Sequence, residues 1–459
     1  MPGSVGPVAA PIETLVILGA GGDLTSRLLL PGLASLLASS RGADVRLLGV
    51  DRGSMTPAGW KKRVRSAFRG ADGDLVRRVA EGSAYLQADV TDAESLRRVL
   101  DAATGRIALY FALPPAVTVR ACETLATMDL PEGIVLAVEK PFGTDLASAR
   151  SLNRLLERLV PEEQVFRVDH FLGKSTVINL IGLRFANRIF EPLLSAQNVS
   201  HVEIRVEEDL GLEGRAGYYD KAGALVDMVQ SHLLLILALA TMEPPATVAS
   251  EDLRGAMAQV LRATRPWKKD GTESRRARYT AGTIGRRKLR AYSSEEGVDK
   301  ARGTETLAEM TVTIDNWRWA GVPFLLRSGK AIGEPRQEVV FTFRDVPHLP
   351  TGFVGPSRQA QLRIGIKPAV MTLDLVTNGF ADPFDLECDT LEAEFPASEL
   401  SAYGEVLAEL LEGDPTLSVR GDIAEECWRI VEPVLAAWRA SKVPLDCYAA
   451  GTRGPRSWR

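Results

Sequence analysis

The chain has 459 residues, 45% of them hydrophobic and 25% charged, and a formal net charge of -4. That length exceeds what one hydrophobic core usually supports, so two domains are expected, and the composition argues against extensive disorder. The slight negative charge excludes wholesale electrostatic binding to nucleic acid or to an anionic membrane; a site for an anion must be a local cluster of cations.

The opening stretch is rich in Gly, Pro and Ala and lacks the basic start and apolar run of a secretory signal, so residues 1–12 are expected to form a disordered tail. Thr14–Leu18 is an apolar run ending in glycines, and a helical pattern follows over residues 28–37, which reads as strand, tight turn, helix. Further apolar runs at 45–50, 107–113 and 134–138 alternate with helical patterns such as 93–102 and 117–128. Strands alternating with helices predict a doubly wound, mainly parallel sheet over residues 13–176.

Beyond residue 176 the texture changes to longer strand-like stretches at 199–206, 307–314, 338–343 and 361–366, which predict an α+β domain on a mainly antiparallel sheet over 177–459. Residues 226–241 read as a helix apolar nearly all round, hence buried. Its uninterrupted apolar run, 233–240, is far shorter than the roughly 20 residues needed to span a bilayer, so no membrane segment is expected. The Lys- and Arg-rich stretch 267–290 reads as a solvated loop rather than a nucleic-acid surface. Cys122, Cys388, Cys427 and Cys447 are widely spaced and form no CxxC pair, which suits reduced thiols in a cytoplasmic protein; no metal site is expected.

Gly19-Ala20-Gly21-Gly22-Asp23-Leu24 lies where the first strand hands over to a helix, and glycines there let backbone amides and the helix N-terminus approach a pyrophosphate. Leu24 stands where the GxGxxG fingerprint has its third glycine. Asp51 and Arg52 follow the second strand; an acid there binds the ribose hydroxyls of NAD, whereas an arginine clamps the extra phosphate of NADP, so either cofactor is open. Glu139-Lys140-Pro141-Phe142-Gly143 ends the fourth predicted strand, on the edge where open parallel sheets bind ligands, which would turn Lys140 toward the crevice.

Arg167-Val168-Asp169-His170-Phe171-Leu172-Gly173-Lys174 gathers three potential cations, which suits a phosphate, although a solvated turn with local ion pairs would look the same. His232 lies in the apolar helix, where a satisfied core histidine is the ordinary reading. Asp227, five residues earlier, is about 140° away round an ideal α-helix, so the two cannot simply pair, but they could touch different hydroxyls of one sugar. Imidazole titrates near neutrality, which suits it to accept an alcohol proton as hydride leaves the same carbon, given a carboxylate to fix its tautomer.

Together these segments resemble the glucose-6-phosphate dehydrogenase family, and the likeness continues almost to the end of the chain. Residues 167–174 resemble its phosphate signature, RIDHYLGK, while Arg215-Ala216-Gly217-Tyr218-Tyr219-Asp220 and residues 227–232 resemble its active-site segment. Thr304-Glu305-Thr306, residues 316–323 and Arg327-Ser328-Gly329-Lys330 resemble later blocks, and Tyr448, Gly451 and Gly454-Pro455 resemble the terminal pattern. The resemblance implies a Rossmann-type N-terminal domain and hydride transfer from C1 of glucose 6-phosphate to NADP or NAD, giving the lactone, the first step of the oxidative pentose phosphate pathway. It implies that His232 is the general base and that Asp169 orients it. His170 and Lys174 would bind the phosphate, Glu208, Asp227 and Lys330 the sugar, and Lys140 would lie between sugar and cofactor. Gly19, Gly22, Asp23, Leu24 and Arg52 fall in the cofactor pattern, with Asp89 and Val90 bordering the adenine pocket. A homodimer or homotetramer built through the second domain's sheet is implied as well.

Three positions depart from the family pattern. Phe171 replaces the signature's tyrosine, Asp51 stands where a small residue is usual, and Pro335 takes the place of a second cation that Arg336 could supply. Two other readings compete: a related sugar oxidoreductase, which would share Glu-Lys-Pro but not the phosphate signature, and a silent sugar-phosphate-binding regulator, against which Asp169, His170, Lys174 and His232 all speak.

Overall fold

The computed structural model describes residues 10–458 except 215, 356, 357 and 397. Arg215 and residues 1–9 of the expected tail lie outside the described residues. The chain divides into two compact units, one comprising the chain up to Ser175 with Pro245–Ala256 and Ser398–Glu425, the other made of the intervening and C-terminal stretches.

In the first unit, strands β1 (Thr14–Leu18), β2 (Arg46–Asp51), β3 (Ala84–Gln87), β4 (Ile107–Phe111), β5 (Val135–Glu139) and β6 (Val165–Val168) form one sheet in the order β3-β2-β1-β4-β5-β6. Every pairing is parallel. β1 and β4 are buried along their whole length, which is why they read as continuous apolar runs rather than alternating ones. β3 is short and largely half-buried, and β6 carries Arg167 in its middle, so neither shows as an apolar run in the sequence.

Two expectations about this unit's extent are corrected. Ile12, assigned to the tail, is buried and donates its N–H to the Leu411 carbonyl at 2.9 Å. Helix Ala402–Glu412, assigned with the rest of 177–459 to the second domain, belongs to the first: Leu407, Leu410 and Leu411 share a core with Leu30, Leu33 and Leu37. A Cβ at Gly32 would stand 2.7 Å from the Cβ of Tyr403, so the glycine permits the close approach of the helix. Arg41 reinforces the contact by pairing with Glu405, Glu409 and Glu412 at 2.8, 3.0 and 3.0 Å.

The second unit is built on a ten-stranded sheet. From one edge its strands are Leu386–Glu394, Val370–Asn378, Gln361–Lys367, Gln337–Phe343, Val199–Glu207, Phe324–Gly329, Leu307–Ile314, Ser274–Thr280 and Leu445–Ala449, with Thr264–Pro266 also pairing with Leu307–Ile314. Pairing is antiparallel except between Val199–Glu207 and Phe324–Gly329 and between Ser274–Thr280 and Leu445–Ala449.

Ser274–Thr280 overturns the loop expected at 267–290. Buried Ser274, Ala277 and Tyr279 lie among arginines that disguise the strand as a basic loop. Arg276 reaches the Val443 and Trp438 carbonyls, and Arg278 donates to the Thr304 carbonyl at 2.8 Å. The apolar helix is also longer than its uninterrupted run suggests. Residues Ala216–Thr241 are helical apart from a kink at Gly223 and would be long and apolar enough to cross a bilayer, but the apolar window is 78% buried inside the protein. It is a core helix.

Candidate functional site

The first unit's sheet reverses its order between β1 and β4, and the turns after these strands line a cavity of about 380 Å³. Gly19, Gly22, Asp51, Arg52, Asp89, Val90 and Arg120 are among its walls, so most of the predicted cofactor residues meet here. Gly19 has φ +96, and a Cβ on it would stand 2.2 Å from the Ala112 carbonyl oxygen; only glycine fits the turn. Thr25 Oγ1 donates to the Gly19 carbonyl at 2.9 Å and ties the turn to the following helix, which opens with a π-helical stretch, Thr25–Leu29, after exposed Asp23 and half-buried Leu24. Asp51 closes the turn from the other side, its carboxylate accepting from Gly21 N at 2.9 Å and Gly53 N at 3.0 Å, while neighbouring Arg52 is exposed. Asp89 accepts from both the amide and the hydroxyl of Thr91, at 2.9 and 2.7 Å, and these bonds hold its carboxyl below the usual range.

In the phosphate-like segment, Arg167 proves to be structural. Its side chain is fully buried, bonded to Asn153 Oδ1 at 3.0 Å and to Glu162 at 2.8 Å, so two cations rather than three remain for a ligand. Asp169 is also fully buried, and its Oδ1 accepts from Phe171 N at 3.0 Å. Half-buried His170 and Lys174 follow on the same turn. The Lys174 Nζ lies 3.7 Å from the ring centroid of buried Phe171, so the phenylalanine that departs from the family pattern supports the lysine as a cation–π partner. Lys140 lies just beyond β5, at the carboxyl edge of the sheet.

The second unit carries Glu208, Asp227, His232 and Lys330. Leu225–Leu233 is a π-helix, whose hydrogen bonds link residues five apart. The expected separation of Asp227 and His232 by about 140° assumed an α-helix; in a π-helix a residue five positions on returns to the same side. Both therefore lie on one face, with His232 1% exposed and Asp227 half-buried. Such stretches are rare inside α-helices and are found frequently at functional sites.

The start of this π-helix is held by Glu305, whose Oε1 accepts from Leu225 N at 3.0 Å. Burial pushes the Glu305 carboxyl up to about 7. Gly223, at φ 69 and ψ 174, makes room for that carboxylate: a Cβ there would stand 2.3 Å from Glu305 Oε1. At the other end of the apolar helix, fully buried Trp319 donates Nε1–H to the Thr241 carbonyl at 2.8 Å. Lys330 Nζ donates to Glu208 Oε2 at 2.6 Å and lies 5.1 Å from the Tyr219 ring centroid, and its carbonyl accepts from Tyr448 OH at 2.6 Å. Arg327 is buried and bonds Glu207, Glu309 and the Arg453 carbonyl at 2.7, 3.0 and 2.6 Å. Arg336 lies 4.0 Å from Glu207 and 3.7 Å from Glu338. The later motif blocks thus brace Lys330 and the π-helix.

Sequence reasoning missed the contact of Tyr403 OH with Glu139 Oε1 at 3.3 Å and the bonds made by Glu305 and Tyr448. Glu139 was adjacent to a singled-out lysine, and Glu305 and Tyr448 sat inside motif blocks, which were the available signals. Tyr403 gave none, because only the folding of a distant helix brings it to β5.

A six-stranded parallel sheet with a glycine turn and a ligand cavity at its switch point defines a dinucleotide-binding domain of the kind carried by NAD(P)-dependent oxidoreductases. Residues 16–179 match the family model for the NAD binding domain of glucose-6-phosphate dehydrogenase, and residues 181–459 match that for its C-terminal domain. The chain belongs to the glucose-6-phosphate dehydrogenase family. It is 35% identical to glucose-6-phosphate 1-dehydrogenase of Rhizobium meliloti, over 97% of this chain and 95% of that one. It is 36% identical to glucose-6-phosphate 1-dehydrogenase 2 of Mycobacterium tuberculosis, over 96% and 91% of the two chains. The crystal structure of glucose-6-phosphate 1-dehydrogenase from Mycobacterium avium superposes with a TM-score of 0.86 at 35% identity, covering 97% of this chain and 96% of that one. A glucose-6-phosphate dehydrogenase solved in complex with its substrate glucose-6-phosphate gives a TM-score of 0.88 at 27% identity, covering 98% and 97%.

Proposed function

We propose that this protein oxidises glucose 6-phosphate at C1 to the 6-phosphogluconolactone, with NADP as acceptor, as the first step of the oxidative pentose phosphate pathway. The observation that carries this is the match of both family domains in order across residues 16–459, on a fold shared with a relative solved with that substrate.

His232 accepts the C1 hydroxyl proton as the hydride leaves the same carbon. Its side chain is buried on the π-helical stretch that also carries Asp227. Asp169 orients the imidazole, a role carried over from the family's phosphate signature. Asp227 shares the face of His232 and bonds a sugar hydroxyl, and the Glu208–Lys330 pair presents an acceptor and a donor to others. His170 and Lys174 hold the phosphate by charge-assisted hydrogen bonds. Binding that remote group helps hold C1 in line, so part of the affinity is expressed as rate.

The switch-point cavity suits a dinucleotide, because the Gly19 and Gly22 turn and the cations Arg52 and Arg120 lie in its walls. Bound NADP supplies the hydride-accepting nicotinamide. Asp23 and Leu24 would border the bound dinucleotide, Asp89 and Val90 would line the pocket for its adenine, and Lys140 would take the place between sugar and cofactor that the family motif gives it. The engagement of Asp51 by two backbone amides supports NADP over NAD, since hydrogen bonds offset its charge and leave Arg52 for the 2'-phosphate.

The protein acts in the cytoplasm as a homodimer or homotetramer. Cysteines that form no disulfide among the described residues suit the first, and the second is supported by Phe380, Phe384 and Leu391, which are exposed on and beside the outermost strands of the large sheet. The test is a steady-state assay of purified protein following formation of reduced nicotinamide. Glucose 6-phosphate with NADP is expected to be the best combination. Binding without turnover would identify a silent relative, and efficient oxidation of unphosphorylated glucose would identify a different sugar oxidoreductase.

A further inference from the structure

Two buried tyrosines and a half-buried glutamate in the first unit meet behind His170 without a part in the chemistry described above. Glu139, the last residue of β5, receives hydrogen bonds on Oε1 from Tyr110 OH at 2.5 Å and Tyr403 OH at 3.3 Å. Tyr110 is fully buried and Tyr403 is 7% exposed. The Tyr403 ring stacks on the His170 imidazole, centroids 5.6 Å apart and planes 12° apart, within the offset-stacked range. The Phe171 ring, which supports Lys174, meets the same imidazole at 5.0 Å. Tyr403 itself is fixed by its helix, which approaches so closely that a Cβ on Gly173 would stand 2.3 Å from the Ala402 carbonyl oxygen.

We propose that Glu139 and Tyr403 are a positioning pair for substrate phosphate: the carboxylate holds the tyrosine hydroxyl, and the tyrosine ring fixes the plane of the His170 imidazole. This rests on the reading of His170 as a phosphate ligand. Neither residue touches the reacting atoms, so each acts on substrate binding through His170.

The pair is also poised to respond to pH. Burial pushes the Glu139 carboxyl up to about 7; the two tyrosines and Lys140 oppose that rise and Asp169 adds to it. Above that pH the carboxylate accepts from both tyrosines. Below it the acid carries a proton of its own and competes with Tyr403 as a donor.

The test measures KM for glucose 6-phosphate, KM for NADP and kcat for Tyr403→Phe, Tyr403→Leu, Glu139→Gln and His170→Asn at pH 6 and pH 8. Tyr403→Phe keeps the ring and preserves the fold. It is expected to raise KM for glucose 6-phosphate ~3-fold through loss of the hydroxyl bond to Glu139, and Tyr403→Leu ~10-fold through loss of the stack as well, with KM for NADP unchanged. Glu139→Gln, fixed in the neutral state, is expected to raise KM for glucose 6-phosphate at pH 8 and to match the parent at pH 6. The substrate's own phosphate ionisation cancels in that comparison. A Glu139→Gln to parent ratio that is the same at both pH values, or Tyr403 variants that change only kcat or NADP binding while His170→Asn raises KM, would overturn the positioning pair. An unchanged KM in His170→Asn would instead overturn the phosphate reading, and the inference with it.

Discussion

Replacing Gly223 by alanine tests whether the π-helix that carries Asp227 and His232 is set by the contact at its start. At φ 69 and ψ 174 the residue occupies a region essentially reserved for glycine, and a side chain there costs about 1–3 kcal/mol. The new Cβ would stand 2.3 Å from Glu305 Oε1, so the carboxylate must move and Leu225 N loses its 3.0 Å acceptor. A buried donor left unsatisfied costs about 1–3 kcal/mol more. The sum, about 4 kcal/mol, corresponds to a fall in Tm of ~8–16 °C for a unit of this size. Because a displacement of about 1 Å can cost 100-fold in rate, kcat is expected to fall ~10–100-fold. The assay is thermal unfolding by circular dichroism together with kcat for glucose 6-phosphate and NADP. Gly82→Ala is the control, since a Cβ there meets nothing within 4 Å and the residue lies in no site segment. A Gly223→Ala protein as stable and active as the control would refute the reasoning.

Glu305→Gln tests the same contact through pH. A carboxyl raised in the folded state favours folding at low pH, and that advantage is lost as pH rises through its folded value, about 7 here. The Tm of Glu305→Gln relative to the parent is therefore expected to rise between pH 5 and pH 8, by the equivalent of at most about 3 kcal/mol; parallel curves would contradict this. Arg52→Ala is expected to raise KM for NADP ~10-fold or more, the value of a charge-assisted bond to phosphate, while leaving KM for NAD within about twofold. Equal changes for both cofactors would remove Arg52 from the 2'-phosphate. Lys174→Ala is expected to raise KM for glucose 6-phosphate ~10–100-fold and to change kcat less, as loss of one ligand to a dianion should; an unchanged KM would argue against it.

The parallel sheet was legible because strands buried on both faces leave unbroken apolar runs, as in β1 and β4. Strands that contain buried or aligned arginines were not: Arg167 in β6 and Arg275, Arg276 and Arg278 in Ser274–Thr280 hide the apolar signal while satisfying their charges against acids, carbonyls and rings. The π-helix could not be foreseen, since one inserted residue leaves no trace in an all-round apolar pattern, and so the relation of Asp227 to His232 was misjudged. Most candidate site residues were legible because motifs keep them local. Their supports, Glu305 under the π-helix and Tyr403 behind His170, lie far away in sequence and meet them only in the folded chain.

The most direct test of the central claim is His232→Asn, with kcat and substrate dissociation both measured for glucose 6-phosphate in the presence of NADP. Loss of a general base predicts that kcat falls ~10²–10⁴-fold while the dissociation constant stays within about threefold. Near-parental kcat in a correctly folded variant would contradict the account.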